Sequence, residues 1–257
     1  MHGRALLFVA VLAAALLPRQ AARGGELTFT SKMSQTHLLE LFTSEGCSSC
    51  PPAEVWLGKL KNDEQLWKDF VPIAFHVDYW DGLGWKDRFA QAEWTQRQRA
   101  HSSRWGASSV YTPGFVLDGE ELRNWAGKLS FHAKENAGLL EATMNGDSVT
   151  VGFRPGPNFN TGSAHVAWLG FDLISSVRAG ENAGRSLRHD FVVLRHSEAP
   201  LVRDANGFWK TDLTSSADHG EGGALACWIE SGGVPVQATG GWLSATVKKQ
   251  EAKENRK

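Results

Sequence analysis

The rhythm of hydrophobic and polar positions changes near the middle of the chain. Before residue 145, apolar runs alternate with stretches of helical spacing. After it, short apolar segments are broken by Gly, Pro, Asn and Ser. In the first part, 37–42 (His37-Leu38-Leu39-Glu40-Leu41-Phe42) reads as a strand, 53–70 as a helix and 71–79 as a second strand. A second helix is expected over 90–105, closed by Gly106, then a hairpin over 110–122 and a last helix over 129–144. Asn145-Gly146-Asp147 is turn chemistry and marks a boundary. Beyond it, strands are expected at 149–153, 165–173, 189–195, 207–212, 224–230 and 235–239. The pattern predicts an α/β domain over 36–144, followed by an all-β, immunoglobulin-like sandwich domain over 145–247.

The two ends read differently. His2 and Arg4 precede thirteen uninterrupted apolar residues, Ala5 to Leu17, and then small residues suited to cleavage. That is signal-peptide grammar over 1–24, too short to cross a bilayer as a helix. It predicts a periplasmic or secreted protein, with no membrane association after cleavage. A linker is expected over 25–35 and a solvated, charged tail over 248–257. The formal charge is −1 with the two signs interspersed, so no nucleic-acid stripe exists. Eleven Trp are a heavy load, expected mostly in cores; Trp80, Trp85, Trp105 and Trp125 fall near the segments that carry candidate chemistry.

That chemistry centres on Cys47-Ser48-Ser49-Cys50, placed between the first strand and the first helix. Two cysteines at this spacing can close a disulfide, and a helix N-terminus there stabilises a thiolate. Pro51 and Pro52 suit a first helical turn, where N–H groups lack partners. Cys47 is the expected nucleophile, being N-terminal and the more exposed, with Cys50 as the resolving thiol. Thiol–disulfide exchange, a static Cys47–Cys50 disulfide and metal binding are the three readings of the pair. Cys227 is the third cysteine of the chain and reads as a buried thiol packed in a strand.

The order strand, CxxC, helix, strand, helix and then Val110-Tyr111-Thr112-Pro113-Gly114 resembles the thioredoxin superfamily. The resemblance implies a thioredoxin-like first domain with a cis Thr112–Pro113 bond beside the cysteines, Thr112 and Pro113 contacting substrate. A narrower resemblance covers nearly all of the mature chain. Leu41 to Ala53, His76 to Asp87, Val110 to Pro113 and Gly180 to Leu187 are similar to signatures of DUF1223, a family of secreted bacterial proteins of unknown function.

Two positions depart from the thioredoxin pattern. Gly46 stands where those proteins carry Trp, and Leu41 where they bury an acid. His76 and Asp78, two apart on the second strand, are therefore the candidates for moving a proton to and from Cys50. The expectation is a thiol–disulfide oxidoreductase with Cys47, Cys50, His76 and Asp78 as catalytic residues. It would act on protein thiols or disulfides or a redox partner protein, without a bound cofactor or metal. The alternative is a non-catalytic binding module with a structural disulfide, or one handling copper through Cys47, Cys50 and His76.

Overall fold

The computed structural model describes residues 26–127, 129–214 and 223–243; the expected signal peptide and charged tail lie outside them. Leu27–Thr30 (β1) is a short strand inside the expected linker. The apolar run at 37 becomes β2 (His37–Thr43), and β3 (Phe70–His76) lies parallel to it in continuous register from His37 opposite Phe70 to Thr43 opposite His76. Both are buried along their whole length, as expected of parallel strands covered on two faces. Between them runs α1 (Pro51–Lys59), and after β3 comes α2 (Ala92–Arg104). The expected hairpin forms as β4 (Gly114–Leu117) and β5 (Glu120–Glu121), with Gly119 at φ +87° in the turn.

The helix expected over 129–144 is instead β6 (Gly138–Asn145), hairpinned to β7 (Ser148–Pro155) across Gly146-Asp147. Leu140 and Ala142 are buried while Glu141 faces out. This two-residue period, not a helical one, fits the surface it covers. The boundary expected at Asn145 therefore falls inside one hairpin.

The remaining strands are β8 (Ser163–Gly170), β9 (Leu173–Ser176), β10 (Ser186–His189), β11 (Val192–Pro200), β12 (Val202–Arg203), β13 (Trp209–Thr214), β14 (Ala224–Ser231) and β15 (Val234–Trp242). They assort into an eight-stranded sheet, β15-β14-β8-β11-β3-β2-β4-β5, a five-stranded sheet, β1-β6-β7-β13-β12, and the pair β10-β9. Two α-helices against fifteen strands among the described residues, and one large sheet drawn from both halves of the chain, correct the expected fold class. There is no thioredoxin-like α/β domain followed by a separate immunoglobulin-like sandwich. The joint is narrow: β11 meets β3 in parallel at Val192 opposite Ala74, where the Ala74 amide donates to the Phe191 carbonyl at 2.8 Å.

Strands β8 and β14 explain why those segments look continuously apolar. Ala167, Leu169, Ala224, Ala226 and Trp228 join the core that includes buried residues of α1 and α2. Their alternates Val166, Trp168, Leu225, Cys227 and Ile229 join a second core against Leu140, Val149, Val151 and Phe153 of the smaller sheet. Cys227 is a free, fully buried thiol there, and burial pushes its pKa up. No helix among the described residues is long and apolar enough to cross a membrane.

Candidate functional site

Strand β2 ends at Thr43, and the chain turns through Ser44-Glu45-Gly46 into the cysteine pair. Cys50 is the N-cap of α1, with Pro51 and Pro52 in its first turn. The two cysteines form a disulfide with a Cα–Cα distance of 5.4 Å. Thr112–Pro113 is cis. Cys47 was expected to be the more exposed cysteine, and the structure corrects this: both are at 0 % exposure, while Ser48 and Ser49 face solvent.

Two loops account for the burial. From the segment between β9 and β10, the Asn182 Nδ2 donates to the carbonyls of Glu45 and Cys47, each at 2.9 Å, and Arg185 holds the Asn182 amide oxygen at 2.7 Å. Glu181 accepts from the Ser48 amide at 3.0 Å. From the loop after β3, Trp80 lies against Gly46 so closely that a Cβ there would stand 3.0 Å from the Trp80 Cβ. The Trp80 indole then donates to the Thr112 hydroxyl at 2.9 Å. Gly46 thus makes room for a tryptophan that arrives from elsewhere and ties the cysteine loop to the cis-proline. Beside it, Val110, Tyr111 and Gly114 line a cavity of about 160 Å³ with Phe42, Gln98 and Trp105.

Under the disulfide lies a buried charged network. Glu54 is four residues after Cys50 on α1, hence on the same helix face one turn away. Its carboxylate accepts from the Thr43 hydroxyl and from His189 Nδ1, both at 2.5 Å. His189, at the end of β10, presents its other nitrogen to Glu45 at 3.3 Å, an ion pair without hydrogen-bond alignment. Burial opposes charge on His189, yet Glu45 and Glu54 outweigh it and hold its pKa up at about 10. Burial likewise works against Glu45 and Glu54, but His189 holds both carboxyls below their usual range. The indole of Trp85 completes Glu45 with a donor at 2.6 Å.

His76 sits edge-on to His189, ring centroids 5.1 Å apart, and its Nδ1 pairs with Asp87 at 2.6 Å. Asp87 also accepts from the Glu45 amide at 2.8 Å. Burial would raise its carboxyl, but the neighbouring His76 keeps it lowered. Glu54, His76 and His189 each bring one ligand-type atom within 4.8 Å of the others. Both His189 nitrogens face carboxylates, and the group is knit as an ion-pair network around that ring. The convergent group that contains His76 includes neither cysteine.

Of the residues expected from sequence, Cys47, Cys50, His76, Thr112 and Pro113 lie in or are tied to this region. Asp78 is not paired with His76. Strand β3 stops at His76, so alternation does not carry on to Asp78, which binds the Thr95 hydroxyl of α2 at 2.5 Å instead. The carboxylate beside His76 is Asp87, from the loop after β3 and the last residue of the 76–87 signature. Glu54 and His189 enter the sequence reading only within an expected helix and strand, and Glu181 and Asn182 only within the Gly180–Leu187 signature, all without a role. Glu54 had a signal, its position four residues after Cys50. The partners from 181–189 meet the site only through the tertiary fold.

A model of the family described as "Protein of unknown function (DUF1223)" matches residues 38–230. The fold is similar to that of a protein of Agrobacterium tumefaciens solved by X-ray crystallography, at 21 % identity and a TM-score of 0.55, over 84 % of this chain and 97 % of that one. It is also similar to HBP35 of Porphyromonas gingivalis, at 12 % identity and a TM-score of 0.56, over 82 % and 76 % of the two chains. No curated protein matches the chain.

Proposed function

Since the chain belongs to the DUF1223 family, whose description assigns no activity, we propose from its own geometry that it is a thiol–disulfide oxidoreductase acting on protein thiols or disulfides. The observation that carries this reading is the charged Glu45–His189–Glu54 network buried one helical turn from a CxxC disulfide at a helix N-terminus. A disulfide that merely staples a loop has no use for an imidazolium held to about 10. Strand β2, the CxxC, α1 and the cis Thr112–Pro113 support the reading as a local unit. The apolar run over 5–17 supports a periplasmic or secreted location.

In the oxidising direction, a partner thiolate attacks Cys47 Sγ. The Cys47–Cys50 bond breaks and Cys50 leaves as a thiolate, stabilised by the helix N-terminus, then takes up a proton. A second partner thiolate attacks the partner sulfur of the mixed disulfide and releases Cys47. Two electrons pass from the partner's dithiol to the pair, and reduction of a partner disulfide runs the same steps backwards. His189, its pKa held up at about 10, keeps its proton and positive charge at neutral pH, and that charge one helical turn away favours the Cys50 thiolate as it leaves. Trp80 and the 180–185 loop cover Cys47, so attack requires them to shift.

That burial favours one other reading, a static staple fixing the turn after β2. The reduction potential separates the two. Equilibration with glutathione redox buffers, followed by thiol counting, should place the pair above about −300 mV, the range below which structural disulfides lie. Cys50→Ser should also hold partners as mixed disulfides through Cys47. A potential below that range, with no trapped partner, would leave the staple.

A further inference from the structure

A second group of imidazoles lies on the large sheet under α2. His165 of β8 is cross-strand from Glu198 of β11, and His196 lies two residues before Glu198 on the same face. His165 Nδ1 stands 3.1 Å from His196 Nε2 and 3.3 Å from Glu198 Oε2. Four donors about a zinc ion at 2.0–2.1 Å are separated by roughly 3.3 Å, the edge of that tetrahedron. The two separations from His165 Nδ1 already stand near that spacing, and the three residues offer ligand atoms within 4.8 Å of one another.

The outer hydrogen bonds decide what the inner nitrogens offer. His196 Nδ1 faces the Glu93 carboxylate at 2.9 Å, which places a proton there and leaves Nε2 with its lone pair. His165 Nε2 faces the Ser163 hydroxyl at 2.8 Å and Glu230 at 3.6 Å; with the ring proton held there toward Glu230, Nδ1 keeps its own lone pair. In that tautomer two lone pairs and a carboxylate oxygen confront one another, a set that a cation can bridge; in the other, His165 Nδ1 donates to His196 Nε2. The indole of Trp228 forms a floor parallel to both imidazoles. Arg97 is the nearby positive charge, and it is drawn to Glu40 and Glu230 at 2.7 and 2.6 Å. The side chains of Glu198 and Glu93 are 63 % and 55 % exposed, so an ion can enter from solvent.

We infer that His165, His196 and Glu198 form a binding site for a divalent first-row transition ion, zinc by donor set, with the fourth position open. The two nitrogens and one carboxylate are borderline-soft ligands suited to zinc and its neighbours, and the exposed mouth leaves room for a water or an exchanging ligand.

The test uses the mature chain with Cys47–Cys50 oxidised, so that those thiols do not compete. Calorimetric titration with zinc chloride should give one ion per chain, and cobalt(II) should give the visible bands of a tetrahedral site. Glu198→Gln, on the exposed rim, should weaken zinc at least tenfold, and His196→Gln should abolish both signals. Far-UV circular dichroism reports folding; if His196→Gln does not fold, Glu198→Gln decides. Absence of zinc binding in the folded wild type would mean that only a proton bridges the pair. Unchanged affinity in Glu198→Gln, or loss on His189→Gln instead, would equally overturn the site.

Discussion

His189 and His165 are both buried histidines beside two carboxylates, and they carry opposite charge logic. His189 has Glu54 on one nitrogen and Glu45 on the other, and burial cannot stop its pKa rising to about 10. At His165, burial dominates. Glu230 pulls upward but stands 3.6 Å away, Arg97 and His196 push down, and the value falls to about 4. One cluster has its positive charge built in. The other holds a neutral ring that faces a second imidazole. The same residue types therefore make an imidazolium locked between two carboxylates under the disulfide and a neutral pair of rings under α2, and the difference lies in which atoms the second nitrogen meets.

Glu54→Ala should break the first cluster most severely. It removes the closer of the two carboxylates paired with a buried imidazolium and should cost about 3–5 kcal/mol in urea unfolding. A loss under about 1 kcal/mol would mean that Glu54 is not paired as described. Next comes pH. A histidine whose folded value is raised contributes stability that is full below its unfolded value of 6.5 and is lost as pH rises towards about 10. The unfolding free energy should fall across that window, and His189→Gln should flatten the fall. His165, shifted the other way, takes stability away below pH 6.5, so its own contribution improves as pH rises from about 4 to 6.5.

Asn182→Ala tests the cover over the disulfide. It takes the side-chain donor from the Glu45 carbonyl and leaves the Cys47 carbonyl with the Cys50 amide alone; this should cost about 1–3 kcal/mol, while dithiothreitol should reduce the pair roughly tenfold faster, as followed by thiol release. An unchanged rate would show that Asn182 does not limit access. The smallest effect is expected at the open cluster: Glu198→Gln, on an exposed side chain, should change stability by no more than about 0.5 kcal/mol without metal. A large loss there would erase the contrast with Glu54.

Sequence reading served best where structure is local. The strand at 37–42, the second helix and the hairpin after Pro113 lie where the pattern places them, the first helix begins as expected but stops at Lys59 instead of 70, and the cis bond lies where the resemblance implies it. It failed at 129–144, where Leu139-Leu140 and Ala142 suit a helical period as well as a strand, and only pairing with β7 decides. The division into two domains failed for a related reason. A turn such as Asn145-Gly146-Asp147 marks a hairpin tip and a domain linker alike, and nothing near Val192 announces that it will pair with Ala74. The site was half legible. Cysteine spacing and Thr-Pro are local signals, whereas Asp87, His189 and Asn182 reach the cysteine loop from distant segments.

The single parallel contact between Ala74 and Val192 has a consequence for how the molecule comes into being. Until β11 has been synthesised and has crossed back to β3, the inner strand β3 is an open edge, free to recruit a neighbouring chain. Such a long-range pairing closes late in folding. His189 stands three residues before Val192, so the imidazolium reaches Glu45 and Glu54 at the same moment that the sheet is sealed. A nascent or truncated chain carries the cysteines without the charged network beneath them; the two are joined only on completion of the fold.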